Sequence, residues 1–373
     1  MSAAAGMATT VLWGGFALGL AFGAVAQRSN FCTMGAMSDI VNMNHWGRAR
    51  MWMLAMAVAI AGATALQHFG QVNLAHSIYR RGASLPWLSL LLGGTVFGVG
   101  MTLSGGCANK NLLRLGGGSV RSLVVLVFMA ISAYMTLKGL FGQWRSAWLD
   151  PVSIQLEGTP LQDASLGQAL TAATGVASGT SMIAVAAVLV LALLVFVFKD
   201  ARFRGNALQM GSGLALGALI VAGWYLSGHL GYGENPETLE QVYFATNTRT
   251  IESLSYVAPT AFTLELLMLW TDKALHPSFG ITSLLGIVIG AALVARLTGA
   301  FRWEGFASTE DLKTQILGAV LMGFGGVTAL GCTVGQGLTG ISTLAIGSFI
   351  ALAGLVIGCV ATLKYLLWKA ERE

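Results

Sequence analysis

The sequence predicts an all-α polytopic membrane protein: two halves related as an inverted repeat, about nine transmembrane helices, and re-entrant half-helices between them. Three observations predict it. Of 373 residues, 55% are hydrophobic and only 10% are Asp, Glu, Lys or Arg, where a soluble domain carries roughly 25% charged residues to keep its surface solvated. Apolar runs near the roughly 20 residues that cross a bilayer recur along the whole chain. Two glycine-rich segments, far apart in sequence, match each other without gaps. This composition excludes a water-soluble monomer. The 49 glycines are close to twice the average usage of about 7%, which suits close helix packing or broken helices.

Ten windows meet or nearly meet the length requirement: about 11–27, 51–67, 87–103, 120–140, 180–198, 207–228, 254–270, 280–297, 314–330 and 344–368. The window at 254–270 holds Glu265, with Pro259 near its start, and is expected to be a re-entrant or partial segment, leaving nine crossings. The longest polar stretch, about 141–178, contains Asp150, Pro151, Glu157, Pro160 and Asp163, with Arg145 as its only basic residue. It reads as an extracytoplasmic loop. Basic residues favour the cytoplasmic side, so the Lys199–Arg204 cluster and the Lys369–Arg372 tail are placed inside and the N-terminus outside. Arg296 and Arg302 obey that rule; Arg80 and Arg81 break it. The whole chain, 1–373, is then one membrane transport domain: half one at about 11–140, a linker loop and helix at about 141–205, and half two at about 206–370.

The net charge of +5 does not point to nucleic acid, because the basic residues sit in short clusters between apolar runs: Arg48 and Arg50, Arg80 and Arg81, Lys199 with Arg202 and Arg204. Met1 to Thr10 lacks the basic start of a secretory signal. The triple glycine at 116–118 has no GK[ST] after it and no strand before it, so no nucleotide or other cofactor is expected.

The repeat places Leu92–Cys107, LGGTVFGVGMTLSGGC, on Leu317–Cys332, LGAVLMGFGGVTALGC. Gly93, Gly98, Gly100, Gly106 and Cys107 fall on Gly318, Gly323, Gly325, Gly331 and Cys332. An earlier match puts Gly15, Ala17, Leu18 and Gly19 on Gly213, Ala215, Leu216 and Gly217. With nine crossings the two copies run in opposite directions, the architecture of transporters whose sites lie near the midplane. The segments that follow the cysteines, CANKNLLRLGGGS and CTVGQGLTG, are too polar to face lipid and read as re-entrant, since irregular backbone at that depth must be buried in protein or line a cavity.

Of the four cysteines, Cys32, Cys107 and Cys332 each follow a polar or glycine-rich break and are candidates to line one path. A thiol is a weak donor and a polarisable acceptor, suited to a sulfur-bearing anion, and half-helix N-termini add N–H groups. Cys359, in the run GLVIGCVATL, reads as core filler. A metal site is not expected, because none of His45, His68, His76, His229 and His276 neighbours a glycine–cysteine segment. Lys110 and Arg114 are candidates to balance an anion, or else anchors just beyond a span; Arg28 shares that ambiguity. Asn111 aligns with Gln336, two amides that either donate to a substrate or cap helix ends. Glu265 is either a proton-coupling carboxylate or, more in keeping with its setting, a structural partner to another helix. Trp13, Trp46, Trp87 and Trp368 mark interfaces.

At these residues the sequence resembles the YeeE/YedE sulfur-transport family, inner-membrane proteins whose characterised members take up thiosulfate. The resemblance covers nearly the whole chain and rests on Arg28-Ser29-Asn30-Phe31-Cys32, Gly106-Cys107, Gly331-Cys332-Thr333-Val334-Gly335-Gln336-Gly337-Leu338, and the two glycine ladders. It implies an hourglass fold of inverted repeats, thiosulfate contacted in succession by Cys32, Cys107 and Cys332, and a small cytosolic TusA-like sulfurtransferase as partner. Lys110 stands where the family's GCxxG pattern has glycine, which resembles the YedE branch, for which selenium-related transport has been proposed. The expected function is therefore import of thiosulfate or a related small sulfur anion, by a permease rather than an enzyme, with Asn111, Gln336 and Lys110 beside the thiols. The alternatives are a membrane sulfurtransferase passing sulfane sulfur through a cysteine persulfide, a transporter of a selenium oxyanion, and a subunit that only anchors a partner. The polar broken segments count against the last, since an anchor has no need of them.

Overall fold

The computed structural model describes residues 3–80, 84–156, 161, 163–236, 238–306 and 308–372. Arg81, Glu157 and Pro160 lie outside the described residues. Among the described residues, nine long helices coincide with the nine apolar windows: α1 (Ala3–Ser29), α3 (Gly47–His68), α4 (Trp87–Leu103), α6 (Val120–Lys138), α9 (Ser178–Phe198), α11 (Ala207–Tyr225), α13 (Phe279–Leu297), α14 (Thr309–Thr328) and α15 (Ile346–Ala370). Between them lie α2 (Thr33–Met43), α5 (Ala108–Gly116), α7 (Leu140–Trp144), α8 (Leu166–Thr174), α10 (Ala201–Arg204) and α12 (Val257–Met268). The demoted window is thus the short helix α12, of 12 residues. Side-chain caps set the starts of many helices, as the hydroxyl or amide oxygen of Ser119, Ser165, Asn206, Ser278 and Ser308 accepts from a first-turn N–H of α6, α8, α11, α13 and α14.

Eight helical segments among the described residues are long and apolar enough to cross a membrane. The chain is a multi-pass membrane protein. The ninth long helix, α14, falls short in composition because Glu310, Asp311, Lys313 and Gln315 occupy its first turns. Packing directions nevertheless treat it as a full member of the bundle. Gly15, Gly19 and Gly23 of α1 meet Phe279, Ser283 and Ile287 of α13 in rising order, and Gly94 and Gly98 of α4 likewise meet Ala351 and Leu355 of α15, so both pairs are parallel. If α1, α3 and α4 alternate in direction, α13 and α15 run the same way, and α14 must return between them.

The two glycine ladders lie on each other. Cβ atoms built at Gly93 and Gly100 would stand 2.6 Å from Ala329 N and from Gly318 O, and at Gly318 and Gly325 would stand 2.7 Å from Gly100 O and 2.5 Å from Phe97 N. Rising numbers on α4 meet falling numbers on α14, so this pair is antiparallel. The contacts Gly100 with Gly318 and Gly93 with Gly325 exchange under the sequence alignment itself. Other pairings follow suit: α1 packs on α13 as α11 packs on α3, α4 on α15 as α14 on α6, and α2 on α3 and α15 as α12 on α13 and α6.

The stretch at 141–178 is more than a loop, which corrects the sequence expectation. It holds α7, a π-helical turn Arg145–Leu149, a strand β2 (Ile154–Gln155) paired antiparallel with β1 (Ser84–Leu85), and α8. Asp150 and Asp163 supply the reason, because they are used for internal pairing. Asp150 accepts from Ser89 at 2.6 Å and pairs with Arg145 at 3.1 Å. Asp163 holds Arg80, only 4% exposed, through Nε at 3.0 Å and through Nη2, while Nη1 reaches Gln67 at 3.1 Å. Arg80 is therefore neutralised inside the protein, which is why it need not follow the charge rule for loops. Asp163→Ala, leaving that guanidinium buried and unpaired, is expected to cost about 3–5 kcal/mol, seen as a clear drop in the thermal midpoint of the detergent-solubilised protein. An unchanged midpoint would contradict the pairing.

Candidate functional site

Three helices end in the same device. In α1, α4 and α14 the chain leaves the helix through a left-handed residue, Asn30 (φ 53), Gly105 (φ 68) and Leu330 (φ 58). The next N–H then closes a six-residue turn: Phe31 N to Ala26 O, Gly106 N to Met101 O, Gly331 N to Gly326 O, at 3.0, 2.9 and 2.7 Å. The residue after that is Cys32, Cys107 or Cys332. Each begins a new helical segment: α2, α5, and a run from Thr333 that becomes a π-helix at Gly335–Gly340. The left-handed conformation costs little for glycine and asparagine but strains Leu330, the one of the three that lies against the Cys332 cavity described below.

Each cysteine thus sits at a helix N-terminus, where free N–H groups and the helix dipole favour negative charge. Gly35 N donates to Cys32 Sγ at 3.3 Å and Gly335 N to Cys332 Sγ at 3.4 Å. The N–H of Lys110 faces Cys107 Sγ more loosely. All three donors lie three residues after the cysteine. Because the backbone alone is used there, lysine can occupy the place where the pattern has glycine. Backbone N–H groups of Val334 and Tyr256 also face Cys332.

The thiols converge. Cys32 and Cys107 interact directly, and the Cys107 thiol rests against the hydroxyl of Thr333, the residue next to Cys332. Cys107 and Cys332 are fully buried and Cys32 is 6% exposed. Cys359 lies in the α4–α15 contact, accepting from Thr102 Oγ1 at 3.3 Å. Among the described residues no group of His, Cys, Asp and Glu could hold a metal ion.

Lys110 sits beside the Cys32–Cys107 pair together with Arg114 and Arg48, its Nζ 3.4 Å from Asn30 Oδ1. Arg114 donates to Gly105 O at 3.0 Å, and Arg28 is exposed at the end of α1. The amides have a different setting. Asn111 Nδ2 donates to Gly106 O and Cys107 O at 2.9 and 3.2 Å, and Gln336 Nε2 donates to Ala329 O. Both brace the turn that carries the cysteine, as helix-end caps do. Gln336 Oε1 has no hydrogen-bond partner among the described residues. Glu265 pairs with Lys138 and accepts from Tyr134 at 3.3 Å, an interhelical tie.

On the Cys332 side a cavity of about 170 Å3 is lined by Tyr79, Arg145, Asn247, Glu252, Ser255 and Gly331, among others. It shares Leu137, Asn247 and Phe262 with a wider depression of about 860 Å3 that holds Lys138, Arg249 and His276. Tyr79 and Ser255 lean over Gly335. Burial, reinforced by nearby Cys332 and Glu252, pushes the Tyr79 phenol far up, so it stays a neutral donor. Burial likewise raises the Glu252 carboxyl against the bonds it accepts from Thr248.

Sequence reasoning missed Tyr79, Ser255, Tyr256 and Thr333. Two signals were available: Cys32-Thr33-Met34-Gly35 has the same CxxG spacing as Cys332, and Ser253-Leu254-Ser255-Tyr256 precedes the short helix α12 as Asn30-Phe31-Cys32 precedes α2.

Two curated relatives are each named "Thiosulfate transporter TsuA". The Escherichia coli (strain K12) protein is 26% identical over 96% of this chain and 95% of its own length. The Spirochaeta thermophila protein is 24% identical over 93% of this chain and 97% of its own length. A family profile described as sulphur transport matches residues 28–361, a span that opens four residues before Cys32 and includes all three converging thiols. The chain belongs to the sulphur transport family, the YeeE/YedE proteins.

Proposed function

We propose that this protein is a permease of the bacterial inner membrane that imports thiosulfate, or a closely related small sulfur anion, by handing it along Cys332, Cys107 and Cys32 without forming a covalent bond. The observation that carries the reading is the meeting of three helix ends: Cys32, after α1, against Cys107, after α4, and Cys107 against Thr333 beside Cys332, after the oppositely directed α14. A thiol donates weakly and accepts through a polarisable sulfur, so it can hold the anion briefly without the trap that a fixed charge would set. Conduction needs binding firm enough to admit the ion and loose enough to release it. Lys110, with Asn111 and Gln336 bracing the turns, completes the proposed substrate path. Lys110, Arg114 and Arg48 draw the anion toward the Cys32 end.

The domain is read as two halves, about 11–140 and 206–370, joined by 141–205 and inverted relative to the membrane. The N-terminus lies outside and the C-terminus inside. Arg50 pairs with Asp200 at 3.1 Å, which gathers the basic segments at 48–50 and 199–204 on one face, in keeping with that orientation. The cavity beside Cys332 then faces outward, and a small cytosolic TusA-like sulfurtransferase accepts the sulfur inside.

Uptake of labelled thiosulfate into proteoliposomes, with sulfite, sulfate and selenite as competitors, tests the proposal. Saturable uptake resisting sulfate competition is expected, with the protein's mass unchanged. No uptake would refute it. A mass gain of about 32 Da after thiosulfate exposure would show a persulfide and an enzymatic route instead.

A further inference from the structure

Two buried residues beside the cysteines carry hydroxyl groups that the cysteine relay does not use. Tyr256 and Thr333 are both 0% exposed, yet among the described residues neither Tyr256 Oη nor Thr333 Oγ1 has a well-formed hydrogen bond. A buried hydroxyl without a partner is costly, and such groups in a folded protein call for an explanation.

Their positions supply one. Thr333 Oγ1 rests against the Cys107 thiol and follows Cys332 in the chain. Tyr256 presents its backbone N–H to Cys332. Its ring lies 5.8 Å from that of Phe22, which in turn lies 6.4 Å from Phe31, the neighbour of Cys32. Tyr256 thus touches the Cys332 thiol through its backbone and the aromatic pair beside Cys32 through its ring. Helix α12 has the place in its half that α2 has in the other. Tyr256 immediately precedes α12 as Cys32 precedes α2. Where one half carries a thiol at that corner, the other carries a phenol.

Resting on the permease reading, we infer that Tyr256 and Thr333 form an oxygen-directed subsite: their hydroxyls donate to the oxygen end of a sulfur oxyanion while the thiols hold its sulfur end. The division follows from donor chemistry, since a hydroxyl is the stronger hydrogen-bond donor to a charged oxygen and a thiol the softer partner for sulfur. A substrate in transit would satisfy both hydroxyls, and sulfide, lacking oxygen, would satisfy neither.

The test separates this role from a structural one. In purified protein, Tyr256→Phe and Thr333→Val are expected to keep or raise the thermal midpoint measured without substrate, because each removes an unsatisfied buried group. Both are expected to lose most of the upward shift that thiosulfate produces and to raise the KM for uptake by roughly 10–100-fold, the loss of a hydrogen bond to a charged group. Thr333→Ser, which retains the hydroxyl, recovers the binding lost in Thr333→Val. Wild-type KM and thermal shift in both the Phe and Val variants would overturn the subsite. So would a lowered substrate-free midpoint in step with lost uptake, which marks a structural role. A wild-type protein with neither shift nor uptake would instead bring down the permease reading, and the subsite with it.

Discussion

Cys332→Ala and Cys107→Ala are each expected to abolish growth on thiosulfate as the sole sulfur source while the protein remains in the membrane at wild-type level. The effect on uptake is expected to be roughly 10–100-fold for each, since a contact to a charged ligand contributes about 1.5–3 kcal/mol. Folding is expected to survive, because the backbone turn that places each cysteine is closed by main-chain bonds at Gly106 and Gly331 and needs no sulfur. Alanine removes one atom from a buried site, a change of the kind that costs about 1 kcal/mol. Cys359→Ala is the contrast: its sulfur only fills the α4–α15 contact and accepts from Thr102, so uptake is retained. Wild-type growth by both relay mutants would refute the hand-over.

Gly358→Ala and Gly98→Ala are expected to damage assembly severely. A Cβ at Gly358 would stand 2.1 Å from Thr95 O, and one at Gly98 2.3 Å from Leu355 O. Both obstacles are backbone, so no side-chain rotation relieves them and α4 must separate from α15. Overpacking of this kind costs about 1–3 kcal/mol or more. Here it also moves the helix whose end carries Cys107, so uptake falls with stability. Gly211→Ala, where a Cβ meets nothing within 4 Å, should be neutral or slightly stabilising, as removing a helical glycine usually is. Thermal midpoints and membrane yield of the three variants, compared side by side, check the ordering; equal behaviour would refute the close-packing account.

Much of this was legible in the chain because helices in a bilayer announce themselves by length and apolarity, and nine windows correspond to nine long helices. The glycine ladders were legible too, since backbone-to-backbone contact admits only the smallest residues, and Gly93, Gly100, Gly318 and Gly325 proved to touch one another. Other features were hidden. Arg80 looked like a misplaced loop charge because its partner Asp163 is 83 residues away. The stretch at 141–178 looked like a loop because its acidic side chains read as solvent-facing, whereas Asp150 and Asp163 are tied to Ser89, Arg145 and Arg80.

The sequence by itself determined the class of protein, the number of long helices, the matched ladders and the three cysteines that end polar breaks, since each depends on composition or local spacing. Only the tertiary structure decided that the three cysteines are buried near one another, that Asn111 and Gln336 brace the turns, and that Tyr256 and Thr333 are buried beside the thiols. Those facts arise from the packing of helices far apart in sequence, and contacts between residues as distant as Cys107 and Thr333 leave no periodic trace along the chain.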